Sequence, residues 1–229
     1  MTLQKQIEEV EKRIDAACKR SGRKREEINI VAVTKYVSLE RTDEVIASGY
    51  AHIGENRWPE AKDKRLAIGD KAKWHFIGHL QSRKVKDVLP YFDYIHSLDR
   101  LSLAKEIQKR MPEDAAPMPC FIQVNVSGEE TKHGLQPEEL IPFAKEIALM
   151  NRIHVIGLMT MAPHEPDPED TRGVFRGLRE LLAELNQAGV FADELTELSM
   201  GMSNDFEVAI EEGATWLRLG TVLVGNDRH

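Results

Sequence analysis

Apolar positions along the chain fall into two alternating rhythms. Leu3, Ile7, Val10, Ile14 and Ala17 recur at steps of four and three, which predicts an amphipathic helix that stops near Ser21-Gly22. The run Ile28-Asn29-Ile30-Val31-Ala32-Val33-Thr34-Lys35-Tyr36 is β-branched and apolar, and predicts a buried strand over 28–36. Ser38 then reads as the N-cap of a helix that carries Val45 and Ile46 inward and ends at Gly49. The alternation continues to the end of the chain. Strands are predicted at 52–56, 74–78, 94–98, 119–126, 155–159, 195–200 and 216–219, with helices at 58–67, 81–89, 100–110, 137–150, 169–188 and 204–212.

Eight strands alternating with helices, behind one leading helix, imply a parallel sheet with right-handed crossovers. The count and the 229-residue length suit a closed (β/α)8 TIM-type barrel. An open doubly wound sheet would carry a glycine-rich turn after its first strand, and Val33-Thr34-Lys35-Tyr36-Val37 has no glycine. No linker or composition shift marks a second domain, so 1–229 is expected to be a single barrel domain.

Composition narrows the function. The net charge of −7 argues against a protein that tracks nucleic-acid phosphates. No apolar run approaches the roughly 18 residues of a membrane span, and the first residues lack the apolar centre of a signal peptide. Cys18 and Cys120 match no metal or redox spacing and suit a reducing compartment, so the expected location is the cytoplasm. The eight histidines (His52, His75, His79, His96, His133, His154, His164 and His229) are scattered and show no metal-ligand spacing.

In such a barrel, functional groups gather at the C-terminal ends of the strands. Lys35 ends the first strand. An amine at the edge of an apolar core is a candidate Schiff-base lysine, since partial desolvation frees the nucleophile; the plain alternative is a lysine that snorkels into water. Ser199-Met200-Gly201-Met202-Ser203-Asn204 and Gly220-Thr221 follow the last two strands, where barrels commonly bind phosphate. Turn and cap chemistry is the plain reading of either loop alone. Arg218 interrupts the apolar Trp216-Leu217-Leu219 and needs an acceptor, a carboxylate or a ligand atom. An amine, a phosphate cup and an arginine together describe a pyridoxal-phosphate site, with Arg218 facing the ring nitrogen. The methionines Met159, Met161, Met200 and Met202 read as pocket wall.

The chain resembles the YggS/PROSC-type pyridoxal-phosphate homeostasis proteins. The resemblance runs through Val31-Ala32-Val33-Thr34-Lys35, Gly54-Glu55-Asn56, Trp74-His75-Phe76-Ile77-Gly78-His79-Leu80-Gln81 and Gln123-Val124-Asn125. It continues through Lys132-His133-Gly134, Gly157-Leu158-Met159, Leu198-Ser199-Met200-Gly201-Met202-Ser203 and Arg218-Leu219-Gly220-Thr221. It implies the barrel of the alanine-racemase N-terminal domain, the type III pyridoxal-phosphate fold. It also implies a Schiff base on Lys35, phosphate on Ser203, Gly220 and Thr221 with backbone near Met202, Arg218 at the pyridine nitrogen, and Asn56 and His79 beside the cofactor. Two departures stand out. Val37 occupies the place of a second lysine found in many members, although Lys132 is retained, and the tail 225–229 lacks the lysine pair of some relatives.

A racemase needs an acid/base group on each face of the cofactor. Of the four tyrosines only Tyr36 neighbours Lys35, and strand alternation would turn it to the opposite face of the sheet. The expectation is therefore a non-catalytic, monomeric carrier that buffers pyridoxal phosphate and delivers it to apo-enzymes. An amino-acid racemase and a cofactor-free Schiff-base aldolase are the alternatives.

Overall fold

The computed structural model describes residues 2–165 and 167–226. The elements run α1 (Leu3–Ser21), β1 (Asn29–Val33), α2 (Leu39–Ala47), β2 (His52–Glu55), α3 (Trp58–Ile68), β3 (Lys73–Phe76), α4 (Val85–Val88), β4 (Tyr94–Leu98), α5 (Leu101–Arg110), β5 (Met118–Gln123), α6 (Leu140–Ile147), β6 (Ile153–Met159), α7 (Arg172–Gln187), β7 (Glu197–Ser199), α8 (Phe206–Glu211), β8 (Trp216–Leu219) and α9 (Thr221–Val224). The eight strands pair in chain order, all parallel, and β8 returns to β1 to close the barrel. This is the expected (β/α)8 architecture with its leading helix.

Alternation along each strand builds two layers. Ile30, Ala32, Ile53, Trp74, Ile95, Ile122, Leu158, Leu198, Leu217 and Leu219 face outward into the large core that the helices cover. Inside the barrel, Val31, Phe121, Met159 and Trp216 form a small apolar cluster of their own. Polar groups share the interior: His75, His96, Ser199 and Arg218 are all buried there. Gly157 lets β6 and β7 approach, because a Cβ at that position would lie 1.8 Å from the Glu197 carbonyl oxygen.

Helix signals are read as expected at several ends. Ser38 Oγ accepts the Arg41 N–H at 3.1 Å. Gly22 ends α1 in the left-handed region at φ 68° and donates to the Cys18 carbonyl.

Other boundaries differ from the expectation. β1 stops at Val33, three residues short, because the chain turns there and Val37 N–H donates to the Thr34 carbonyl at 3.1 Å. β5 ends at Gln123, where the incoming Leu135 captures the backbone: Leu135 N–H donates to Gln123 and Asn125 N–H donates to Leu135. The helices expected at 81–89, 137–150 and 169–188 begin as 3-10 turns at Ser82–Lys84, Pro137–Glu139 and Pro168–Thr171. The helix expected from 204 starts at Phe206, since the N–H groups of Asp205 and Phe206 both fold back onto the Met202 carbonyl. The tail noted for its missing lysine pair lies outside the described residues from position 227 onward.

Candidate functional site

A cavity of about 430 Å³ opens at the C-terminal ends of the strands. Lys35, Asn56, His79, Met202, Ser203, Arg218, Gly220 and Thr221 all line it. Its volume falls within the range of small-molecule sites.

On the β1–β2 side, the backbone just before Lys35 is clamped. The Thr34 hydroxyl donates to Glu55 Oε1 at 2.7 Å, and Lys64, reaching in from α3, donates to the Thr34 carbonyl at 2.5 Å and to the same Glu55 oxygen at 3.0 Å. All three groups are buried. A buried cation needs such a partner, and here the pair also satisfies a carbonyl at the strand's end. Lys35 Nζ lies 4.9 Å from the centroid of the Tyr36 ring, and Tyr36 lines the same cavity. The expectation that Tyr36 turns to the opposite face is therefore overturned. Strand alternation stops at Val33, and the two residues sit together in a turn.

Asn56 and His79 follow β2 and β3. Gly78 packs on Asn56 so closely that a Cβ would lie 2.3 Å from the Asn56 carbonyl oxygen. His79 stacks on His133 with ring centroids 4.1 Å apart and planes 19° apart. Burial, then the His133 and Arg100 charges, push the His79 pKa down, with Asp99 opposing them. His79, Asp99 and His133 each bring a ligand atom within 4.8 Å of the others, a grouping that sequence spacing did not reveal. Asp99 also pairs with Arg100, and its other oxygen lies 3.8 Å from His79 Nδ1.

On the β7–β8 side, the loops expected to form a phosphate cup come together. The backbone N–H groups of Ser203, Asn204 and Thr221 take no acceptor among the described residues. Ser203 Oγ accepts the Val222 N–H at 3.4 Å, tying the two loops. The Met202 N–H is not part of this cup, because it donates to Asp205 Oδ1 at 2.6 Å. The helices that follow have six and four residues, so what these loops offer an anion is N–H groups and hydroxyls more than a helix dipole.

Arg218 reaches this cavity from inside the barrel. It donates to Ser199 Oγ at 2.7 Å and to the Thr160 carbonyl at 2.9 Å. Burial pushes its pKa down to about 10, while the nearby Asp205 charge pulls the other way. Asp205 is itself buried, and burial raises its pKa against the Met202 N–H and the Arg218 charge. Sequence reasoning missed Lys64, Asp205, Gln123 and His133. Gln123 and His133 had a signal, as parts of the Gln-Val-Asn and Lys-His-Gly motifs. Neither cysteine bears on the site: Cys120 lies within β5, and burial raises its pKa, which keeps it a thiol.

The alanine racemase N-terminal domain family matches residues 7–228. The pyridoxal phosphate homeostasis protein of Aquifex aeolicus is 44% identical over 97% of this chain and 97% of its own. The chain belongs to the pyridoxal phosphate homeostasis protein family. A solved structure, that of Synechococcus elongatus PipY with pyridoxal phosphate bound, is similar to this family member at a TM-score of 0.79 and 35% identity, covering 87% of this chain and 93% of that one. Alanine racemase of Clostridium difficile shares the fold at a TM-score of 0.76, with 16% identity over 96% of this chain and 56% of the racemase.

Proposed function

We propose that this barrel binds pyridoxal 5'-phosphate as a Schiff base on Lys35 and serves intracellular homeostasis of that cofactor as a carrier. One observation carries the reading: a single cavity brings together an amine and a cup of N–H groups that have no carboxylate and no acceptor, respectively, among the described residues, and a buried guanidinium. The bound homologue PipY supports it. When bound, the cofactor supplies an aldehyde to the amine and an electron-withdrawing ring.

Each residue has a role in this reading. Lys35 is the attachment point, held in place by the Lys64–Glu55 clamp behind it. Ser203, Gly220 and Thr221 receive the phosphate, with the N–H groups of Ser203 and Asn204 supplying the backbone expected near Met202, which itself lines the cavity. Arg218 donates toward the ring nitrogen. An arginine gives up its proton so reluctantly that it leaves this nitrogen unprotonated and the ring a weak electron sink. Asn56 and His79 flank the ring.

Turnover would call for a second acid across the ring from Lys35. Tyr36 lies beside the lysine and so does not offer it. The reading is accordingly a carrier, formed as a single monomeric domain, acting in the cytoplasm and supplying apo-enzymes that use the cofactor. Among the described residues no helix is long and apolar enough to cross a membrane.

The test is spectroscopic. Protein mixed with pyridoxal phosphate should gain a visible band, and borohydride should fix the cofactor's mass onto Lys35. Lys35→Ala should lose both while keeping its circular dichroism. A colourless protein with no mass adduct overturns the reading. Enzyme-rate deuterium exchange at the α-carbon of an added amino acid would instead make it a racemase.

A further inference from the structure

His52, His75 and His96 sit on three successive strands and look unrelated in the sequence. Barrel closure joins them. His52 Nδ1 lies 2.9 Å from His75 Nε2, His75 Nδ1 lies 2.8 Å from His96 Nε2, and His96 Nδ1 lies 2.8 Å from Ser199 Oγ, which also accepts from Arg218. The chain runs up the barrel interior from the start of β2 to the cavity wall. His75 lies flat on Tyr94 at 4.2 Å, His52 meets Trp216 edge-on at 5.0 Å, and His96 leans on Phe121 at 4.3 Å. Among the described residues no carboxylate hydrogen-bonds to any of the three imidazoles.

The direction of every bond follows from one end. A guanidinium only donates, so Ser199 Oγ accepts from Arg218. The Ser199 hydroxyl has two partners, Arg218 and His96, so its proton goes to His96 Nδ1. With the opposite His96 tautomer, that buried proton would have nowhere to go. His96 therefore carries its hydrogen on Nε2 and gives it to His75 Nδ1, and His75 Nε2–H in turn donates to His52 Nδ1. Burial keeps His75 and His96 neutral, each with its pKa well below the usual histidine value. Every lone pair in the chain thus points toward the guanidinium.

We propose that His52, His75 and His96 are positioning residues that act as one polarised chain, holding Arg218 by aligned lone pairs where a carboxylate would otherwise neutralise it. Chained hydrogen bonds polarise one another, so the far histidines strengthen the contact at Ser199. The arrangement fixes the guanidinium while leaving its charge for a ligand acceptor in the cavity. The link to pyridoxal phosphate rests on the function proposed above. The link to Arg218 does not.

Both readouts use ligand-free protein. In ¹⁵N-histidine-labelled protein near neutral pH, long-range ¹H–¹⁵N correlation should show all three histidines as Nε2–H tautomers. His75→Phe keeps a ring against Tyr94 and cuts the chain. It should speed Arg218 side-chain hydrogen exchange by about two-fold, the equivalent of losing the roughly 10–30% by which chained bonds strengthen one charge-assisted hydrogen bond. His75→Gln, which can accept and donate at the same place, should restore the slow rate. Should His75→Phe not fold, His52→Phe at the half-buried end gives the same comparison. An Nδ1–H tautomer at any of the three overturns the chain, as does a folded, cut chain with unchanged Arg218 exchange. Failure to bind pyridoxal phosphate would bear only on the proposed function.

Discussion

Two buried cations flank the cavity, and they are held in opposite ways. Lys64, behind the end of β1, pairs with a carboxylate, Glu55, and spends its other contact on the Thr34 carbonyl. Arg218, on β8, hydrogen-bonds among the described residues only neutral acceptors, Ser199 Oγ and the Thr160 carbonyl, and senses Asp205 through charge alone. Both carry the desolvation cost of a buried ion. The carboxylate consumes the charge of Lys64 and leaves a mechanical clamp. The neutral acceptors orient Arg218 yet leave its charge available to a ligand. Where the barrel needs rigidity it closes an ion pair, and where it needs a field it does not.

The sharpest way to break this contrast is to unpair the clamp. Glu55→Leu strands the Lys64 ammonium and should cost about 3–5 kcal/mol of stability, read from urea unfolding. Adding Lys64→Met should recover most of the loss, and a double variant no better than the single would show that the pair is not the source. The neutral side responds to acid instead. His75 and His96 have pKa values held well below 6.5 by burial, so the unfolded chain takes up protons first as the pH falls through about 6.5. Stability should then drop by up to about 1.4 kcal/mol per histidine for each further pH unit and be flat with respect to these groups above neutrality. Equilibrium unfolding at successive pH values checks this, and a flat acid limb would mean that the imidazoles charge freely. Ser199→Ala removes one acceptor from Arg218 and should cost about 1–3 kcal/mol, clearly less than unpairing Lys64. Smallest of all, Arg57→Ala breaks an exposed pair with Glu60 and should stay within about 0.5 kcal/mol, which makes it the control for charge removal alone.

Residues that end a strand were readable in the sequence, because barrel topology assigns such positions a place. Lys35, Ser203, Gly220 and Thr221 each follow a recognisable apolar run, and all reach the cavity. What failed was reach along the strand. Thr34 has the composition of a strand residue, yet its carbonyl is captured by Lys64 and the chain turns, which carries Tyr36 to the side of Lys35. Lys64 itself was hidden in the charged stretch Lys62-Asp63-Lys64, where nothing distinguishes a buried lysine from a solvated one. The histidines were hidden differently. They are more than 20 residues apart in sequence, and only lateral pairing of β2, β3 and β4 makes them neighbours.

Closure between β1 and β8 has a kinetic consequence. Asn29 registers with Trp216 and Val31 with Arg218, so the first and last strands bring almost the whole chain between them into one ring. Lys35 leaves one of these strands, and Gly220 and Thr221 leave the other. A growing chain thus has no cavity until its final strand docks, and that docking is a long-range event of the slow kind. A ligand that binds the finished cavity stabilises the closed ring by mass action without accelerating its formation. It works as a latch on folding, engaged last and holding both ends of the chain.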